Sequence, residues 1–265
     1  MNFQRTNNKI SLLEDYYNHF DEDKRLKRRH GMVEYNTNMN YIHTFLGHDK
    51  SKKILDIGAG TGSYSIPLYN EGYNVLAVEL VKSNILKFKK NNSNVDVIEG
   101  DARNLSFIES NSFDLIILFG PMYHLLKKED KIKALLEAKR IIKDDGFIFV
   151  SYYMNDYAIL KYGFIDGNIK KSIEEGRIDN EFHVINKEDD LYSMVRIKDI
   201  DDLNLECGLK SVKRFASDGA SDYIRTTLNK LSEEEFDLFL KYNLTICENQ
   251  ELLGASSHVV DILKK

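Results

Sequence analysis

Five short apolar runs constrain the fold of this chain before any single residue does. KILDIG (53–58), NVLAVEL (74–80), VDVIEG (95–100), FDLIILFG (113–120) and GFIFVSYY (146–153) are rich in Val, Ile and Phe, and segments with helical patterning separate them. Runs that stay apolar without alternation read as strands buried on both faces, with the intervening helices as crossovers. The rhythm therefore predicts an α/β fold in which helices cover both sides of a parallel sheet. Toward the C-terminus KDIDDLNLECG reads as a helix, LKSVKRFAS as a strand, SEEEFDLFLKYNLTICENQ as a helix and SSHVVDILKK as a last strand. Seven strands result.

Between the fourth and fifth runs, KKEDKIKALLEAKRIIKDDG places Ile132, Leu135, Leu136 and Ile142 on one helical stripe, with Gly146 as the stop. Two regions stand outside the core. Residues 1–50 carry helical patterns, SLLEDYYNHF and VEYNTNMNYIHTFL among them, and read as an N-terminal cap. Residues 51–153 form the ligand-binding half of the main domain and residues 197–265 its remainder. Residues 154–196 interrupt the alternation. There RIDNEFHVI, NKEDD and LYSMVRI are expected to make two strands around a turn. An insertion after a strand end is where an α/β protein places a lid, because ligands bind at the carboxyl ends of the strands.

The first run leads into GAGTG, with glycines at 58, 60 and 62. A dinucleotide fingerprint G-x-G-x-x-G would need its third glycine at position 63, where this chain has Ser63. The spacing is G-x-G-x-G, a wider loop that leaves room for a bulkier ligand portion than a diphosphate. Carboxylates sharpen the reading. Glu79 closes the second run 21 positions after Gly58, where an acid accepts hydrogen bonds from both ribose hydroxyls. Asp101 follows the third run, in reach of an adenine amine, and Asp56 stands just ahead of the glycines, where it can meet an amino-acid amine or orient the loop. Three acids and no phosphate-directed Lys or Arg point to a cationic nucleoside, which S-adenosylmethionine is.

ILDIGAGTG, the Glu79 position, GDA, FDLIILFGPMYHLL and IIKDDGFIFVS, in that order, resemble the motifs of class I S-adenosylmethionine-dependent methyltransferases of the small-molecule type. The resemblance is strong over residues 50–155 and extends to the C-terminus through strand order. It implies a Rossmann-like, doubly wound sheet of seven strands in the order 3-2-1-4-5-7-6 with the last strand antiparallel. It also implies that Gly58, Ala59 and Gly60 line the methionine side, Glu79 and Leu80 the ribose, and Asp101 and Ala102 the adenine, with Gly62 and Phe119 among the cofactor-binding residues. Pro67 falls inside the expected first crossover helix and is tolerated only in a first turn, so that helix is expected to start near Ser63 or Tyr64.

Methyl transfer from a sulfonium needs alignment, exclusion of water and, for some acceptors, removal of a proton. His124 and Tyr123, directly after the fourth strand, are the candidate catalytic residues: an imidazole for the proton, a ring to orient the acceptor or face the sulfonium. The alternative for both is support of the loop and packing. Tyr16, Tyr17 and Arg25 are candidates for closing the methionine end or the acceptor pocket, the bland alternative being helix packing and a solvated face. Tyr152, Tyr153, Tyr157, His183, Tyr192 and Arg196 are candidates for an acceptor pocket.

The chain has 37 basic and 42 acidic side chains, a net charge of -5, which offers no general attraction to a phosphate backbone. KRLKRRH (24–30) is a compact basic patch with acidic neighbours, so an RNA methyltransferase stays as one alternative and a non-catalytic S-adenosylmethionine-binding protein as another. No apolar leader and no membrane-length apolar window are apparent, and Cys207 and Cys247 match no metal spacing. A cytoplasmic protein without a metal site, acting on a small molecule, is the expectation.

Overall fold

The computed structural model describes residues 12–16, 25–92 and 94–265. Seven strands form the path of one sheet: β1 (Lys53–Ile57), β2 (Asn74–Glu79), β3 (Asp96–Glu99), β4 (Phe113–Leu118), β5 (Ile142–Met154), β7 (Lys210–Ala216) and β8 (His258–Lys264). A two-residue strand, β6 (Met194–Val195), pairs with the end of β5. The order is β3-β2-β1-β4-β5-β8-β7, and β8 runs antiparallel to both of its neighbours. This is the predicted order; β6 only shifts the numbering of the last two strands.

Successive residues of the central strands enter opposite cores. Ile54, Leu115, Ile117 and Phe149 face one side, packed under α1 (Arg29–Leu46), α2 (Ser65–Asn70) and α3 (Lys82–Asn91). Leu55, Ile116, Ile148 and Val150 face the other, under α5 (Lys128–Ile141) and α6 (Ile197–Cys207), while α4 (Pro121–His124) caps the end of β4. Central strands apolar on both faces are what a doubly covered sheet requires. The C-terminal helix α7 (Glu233–Ile246) starts at Ser232, whose Oγ accepts from Glu235 N–H while Glu235 accepts from Ser232 N–H, with three glutamates in its first turn favoured by the helix dipole.

Local expectations are corrected in three places. α2 begins at Ser65, one residue past the expected start, and Pro67 sits in its first turn. The α5 stripe is Lys131, Ala134, Leu135, Ala138 and Ile141, Leu136 is exposed, and Ile142 already belongs to β5. Gly146 is therefore a strand residue, not a helix stop. A Cβ there would lie 2.9 Å from Asp114 O, so glycine admits the register shift between β4 and β5.

The third correction concerns the insertion, in which RIDNEFHVI turns back on itself and LYSMVRI pairs with β5, so the two do not form a ladder around NKEDD. The insertion consists of helix Asn155–Ala158, a π-helical stretch Ile159–Ile165, helix Ile169–Glu174, a coil whose isolated bridge joins Ile178 to Val184, and β6, the part of LYSMVRI that is a strand and pairs with β5. Buried Asn155 holds that coil, donating to Phe182 O (2.9 Å) and accepting from Val184 N (2.8 Å), so backbone groups that a strand partner would have taken are satisfied by a side chain. Among the described residues no helix is long and apolar enough to cross a membrane.

Candidate active site

The glycine loop and the end of β2 are built as one unit. Gly58 and Ala59 N–H both donate to Val78 O, at 2.7 and 3.1 Å, which folds the loop back over β2. Glu79, buried, accepts from Gly60 N–H through Oε2 and from Val81 N–H through Oε1, each at 2.8 Å. All three glycines have positive φ, at 76°, 57° and 96°. Their surroundings differ. A Cβ on Gly58 would meet Pro121 at 2.5 Å and one on Gly62 would meet Ile66 at 2.6 Å, whereas nothing lies within 4 Å of one on Gly60. Open space over Gly60 is the cradle in which a ligand can approach the backbone.

Asp56 is buried at the end of β1 and accepts from Ser65 Oγ at 2.5 Å. Burial, and then the charge of Glu79, raise its pKa to about 7 against the pull of the Ser65 hydrogen bond. Burial likewise raises Glu79. Two buried acids this close are short of one positive charge. A sulfonium nucleoside with an amino-acid tail brings it, so these residues fit S-adenosylmethionine, and Asp56, Gly60 and Glu79 are those that would hold it.

Asp101 has a different environment from the one foreseen. Arg103 grips its carboxylate through Nη2 (2.6 Å) and Nε, and Arg103 N–H adds a further bond at 2.9 Å. Burial pushes the carboxyl up, but these hydrogen bonds and the guanidinium charge outweigh it, holding Asp101 below the usual carboxylate range. Ala102 is buried beside it. Leu80 lies between Glu79 and Val81 in this same turn, and Phe119 packs edge-on against Tyr64 with centroids 5.0 Å apart.

At the carboxyl ends of β4 and β5 the structure gathers an aromatic cluster. His124 stacks on Tyr192 (5.2 Å), Tyr123 lies 6.0 Å from Tyr192, and Tyr153 stacks on Tyr192 (5.7 Å). His124 Nδ1 donates to Leu191 O at 2.9 Å, and Ser193 N–H donates to Tyr123 O at 2.7 Å. The insertion is thereby strapped onto α4. Tyr16 joins this cluster, hydrogen-bonded to Tyr192 through the hydroxyls at 2.7 Å, and so stands with the acceptor-side rings rather than with the glycine loop. Tyr17 lies outside the described residues.

Arg25 is paired with an acid of α1. Its Nη1 donates to Glu34 Oε2 at 2.7 Å. Tyr157 donates to Asp222 at 2.5 Å and edges onto Tyr153. His183 and Arg196 tie the insertion to itself, with Arg196 also on Asp156. Tyr152 is corrected outright: it is buried in the core beneath the sheet, because strand alternation turns it away from Tyr153. Both cysteines are buried thiols.

Sequence reasoning missed Glu34, Asp218 and His258, which come together beside the aromatic cluster, with ring–ring distances from His258 of 5.2 Å to Tyr153 and 5.9 Å to Tyr123. The available signal was positional. A last antiparallel strand begins at the carboxyl edge of its parallel neighbours, so its first residue, His258, faces the site. The three have the reach to share a metal ion, yet Arg25 already neutralises Glu34, and Asp218 accepts from Ser256, His258 N–H and His258 Nδ1.

A family model described as "Methyltransferase domain" matches residues 54–146. A glycine/sarcosine N-methyltransferase of Aphanothece halophytica is 30% identical over 129 residues, covering 47% of this chain and 48% of that protein. A demethylmenaquinone methyltransferase of Paenarthrobacter aurescens is 35% identical over 103 residues, covering 38% and 39%. The chain spans less than half the length of each of these curated relatives. In fold, the chain is similar to the crystal structure of a SAM-dependent methyltransferase from Archaeoglobus fulgidus, with a TM-score of 0.58 at 19% identity over 92% of this chain and 97% of that one.

Proposed function

We propose that this chain, which belongs to the class I S-adenosylmethionine-dependent methyltransferase family, moves a methyl group to a nitrogen or oxygen of a small molecule. When bound, S-adenosylmethionine supplies a methyl carbon already activated by the positive sulfur beside it. The protein's own part is to hold the donor and close the acceptor in.

The observation that carries the reading is the pair of buried acids, Asp56 and Glu79, around an open Gly60 after β1, on the same carboxyl edge of the sheet that carries the aromatic cluster after β4 and β5. One end suits a cationic nucleoside and the other a small acceptor under the 154–196 insertion, which acts as a lid. Named relatives that methylate glycine and sarcosine, or demethylmenaquinone, support a small-molecule acceptor. Against an RNA acceptor stand the internal uses of the basic patch: Arg25 is spent on Glu34, and Arg29 on Glu233 and the carbonyl of Leu231.

Calorimetry with S-adenosylmethionine, S-adenosylhomocysteine and NAD, followed by a screen of small acceptors that reads released S-adenosylhomocysteine, tests the reading. Micromolar binding of both sulfur nucleosides and turnover of a small acceptor is the expected result. NAD binding with no response to either nucleoside overturns it, and binding without turnover of any acceptor reduces the protein to a cofactor-binding one.

A further inference from the structure

His258 opens β8 opposite Tyr153 of β5, at the carboxyl edge of the sheet and against the rings of Tyr123 and Tyr153. Its Nδ1 lies 3.1 Å from Asp218 Oδ2 and 3.8 Å from Glu34 Oε2. Asp218 is itself fixed, accepting through Oδ1 from Ser256 Oγ (2.6 Å) and His258 N–H (3.0 Å). An imidazole whose Nδ1 proton is held by a carboxylate has one tautomer, and Nε2 is the nitrogen left to accept a proton.

The charges around the ring favour taking one. Acting on it are Glu34 from α1, Arg25 from the segment before α1 and Asp218 from the loop after β7, with the rings of Tyr153 from β5 and Tyr123 from α4 beside it. Glu34 and Asp218 are two negative charges against the single guanidinium of Arg25, so a proton on His258 brings this group to neutrality. Burial pulls the His258 pKa down, and the two carboxylates outweigh it, leaving it above the ordinary imidazole value.

We propose that His258, oriented by Asp218 and Glu34, is the proton-accepting residue of the acceptor site, and that the acceptor is a small amine presented as its ammonium ion. The inference rests on the methyltransferase reading above. An ammonium has no lone pair to offer. When its proton moves to Nε2, the nitrogen keeps the electron pair of that N–H bond, and this pair makes the new bond to carbon as the carbon–sulfur pair stays on sulfur. Tyrosine rings with buried carboxylates behind them are a setting that favours such a cation over a neutral hydroxyl.

Two measurements test this. The first follows the His258 ring by NMR through a pH titration of protein saturated with S-adenosylhomocysteine. The wild-type ring is expected to titrate above an ordinary histidine, and Asp218→Asn to lower it by about 1 unit or more, the effect of losing an adjacent opposite charge. A wild-type value at or below the ordinary one overturns the proposal. The second measures S-adenosylhomocysteine release with glycine, sarcosine, ethanolamine and tyramine as amine probes and catechol as a hydroxyl probe.

His258→Gln is expected to keep the nucleoside Kd and the amine KM, to lose about 10²–10⁴-fold in kcat near neutral pH, the usual worth of a positioned base, and to regain activity as the pH approaches that at which the free amine deprotonates. A His258→Gln protein with the wild-type pH profile overturns the inference alone, as does a wild type that consumes catechol and no amine. Should His258→Gln fail to bind nucleoside, the isosteric Asp218→Asn replaces it, with a lower kcat and a pH limb moved to more acid values expected and an unchanged profile overturning. If nucleoside binds and the wild type consumes no probe, the methyltransferase reading falls, and this inference with it.

Discussion

Glu79 Oε2 and Gly60 N–H are joined at 2.8 Å, so the acid at the end of β2 holds the glycine loop in shape. Its other oxygen is taken by Val81 N–H, so truncation frees two backbone donors at once. Glu79→Ala is expected to weaken S-adenosylmethionine binding by about 1.5–3 kcal/mol, the range for hydrogen bonds to charged groups. Glu79→Gln, which keeps an acceptor but gives up the charge, should fall between the two. Calorimetry on the three proteins checks the ranking, and a Glu79→Ala protein that binds as wild type contradicts it.

Gly60→Val should abolish nucleoside binding while leaving a folded protein. The backbone sits at φ 57°, which costs a β-branched residue about 1–2 kcal/mol, but a side chain there enters open space. Gly62→Val is the contrast. Its Cβ would come within 2.9 Å of both Ile66 and Phe88, so it should lower the melting temperature as well. Melting curves and nucleoside binding measured on both variants separate lost binding from lost fold.

Asp56 makes both stability and binding depend on pH. Its folded-state pKa of about 7 stands above the unfolded value of 3.8, so between those values the native state holds a proton that the unfolded chain has released. Stability from this group is therefore present at low pH and lost as pH rises toward 7. Binding of a cation runs the other way, since it favours the ionised carboxylate. The Kd for S-adenosylmethionine should tighten from pH 5.5 until about 7 and then level off, with proton release visible as a buffer-dependent heat. Asp56→Asn should flatten both trends, and a wild-type Kd independent of pH over this range would count against the assignment.

Tyr152 is buried with its hydroxyl unpartnered among the described residues. A buried polar group without a partner costs about 1–3 kcal/mol, so Tyr152→Phe should be neutral to stabilising by up to that amount. Activity should be unaffected, because the ring is fully buried in the core and strand alternation turns it to the face opposite Tyr153. A lowered melting temperature or a lost acceptor would return Tyr152 to the list of pocket residues.

The parts that sequence disclosed are those where neighbours along the chain are neighbours in space. Gly58 to Gly62, Asp56 and Glu79 lie on one strand–loop–strand unit, and apolar runs mark buried strands because both faces of the sheet are covered. The α5 stripe was mis-phased because Ile142, counted as helical, is the first residue of a strand. RIDNEFHVI has a strand's composition, but Asn155 supplies the hydrogen bonds that would have come from a paired strand. Glu34, Asp218 and His258 form one group across 224 positions of chain, and no local spacing announces such a meeting.

β8 lies between β5 and β7, yet it is made after both. During synthesis β5 must wait with an unpaired apolar edge while more than 100 further residues emerge, and β7 has no place in the sheet until Val259, Val260 and Ile262 arrive. α1 waits as well, since Asn38 and Thr37 are anchored through Ser217 and Asn243. Pairings this distant along the chain close slowly and leave strand edges exposed to other chains meanwhile. Closure of the sheet on the ribosome thus waits for β8, and the folding yield should depend on how quickly β8 follows β7 out of the exit tunnel.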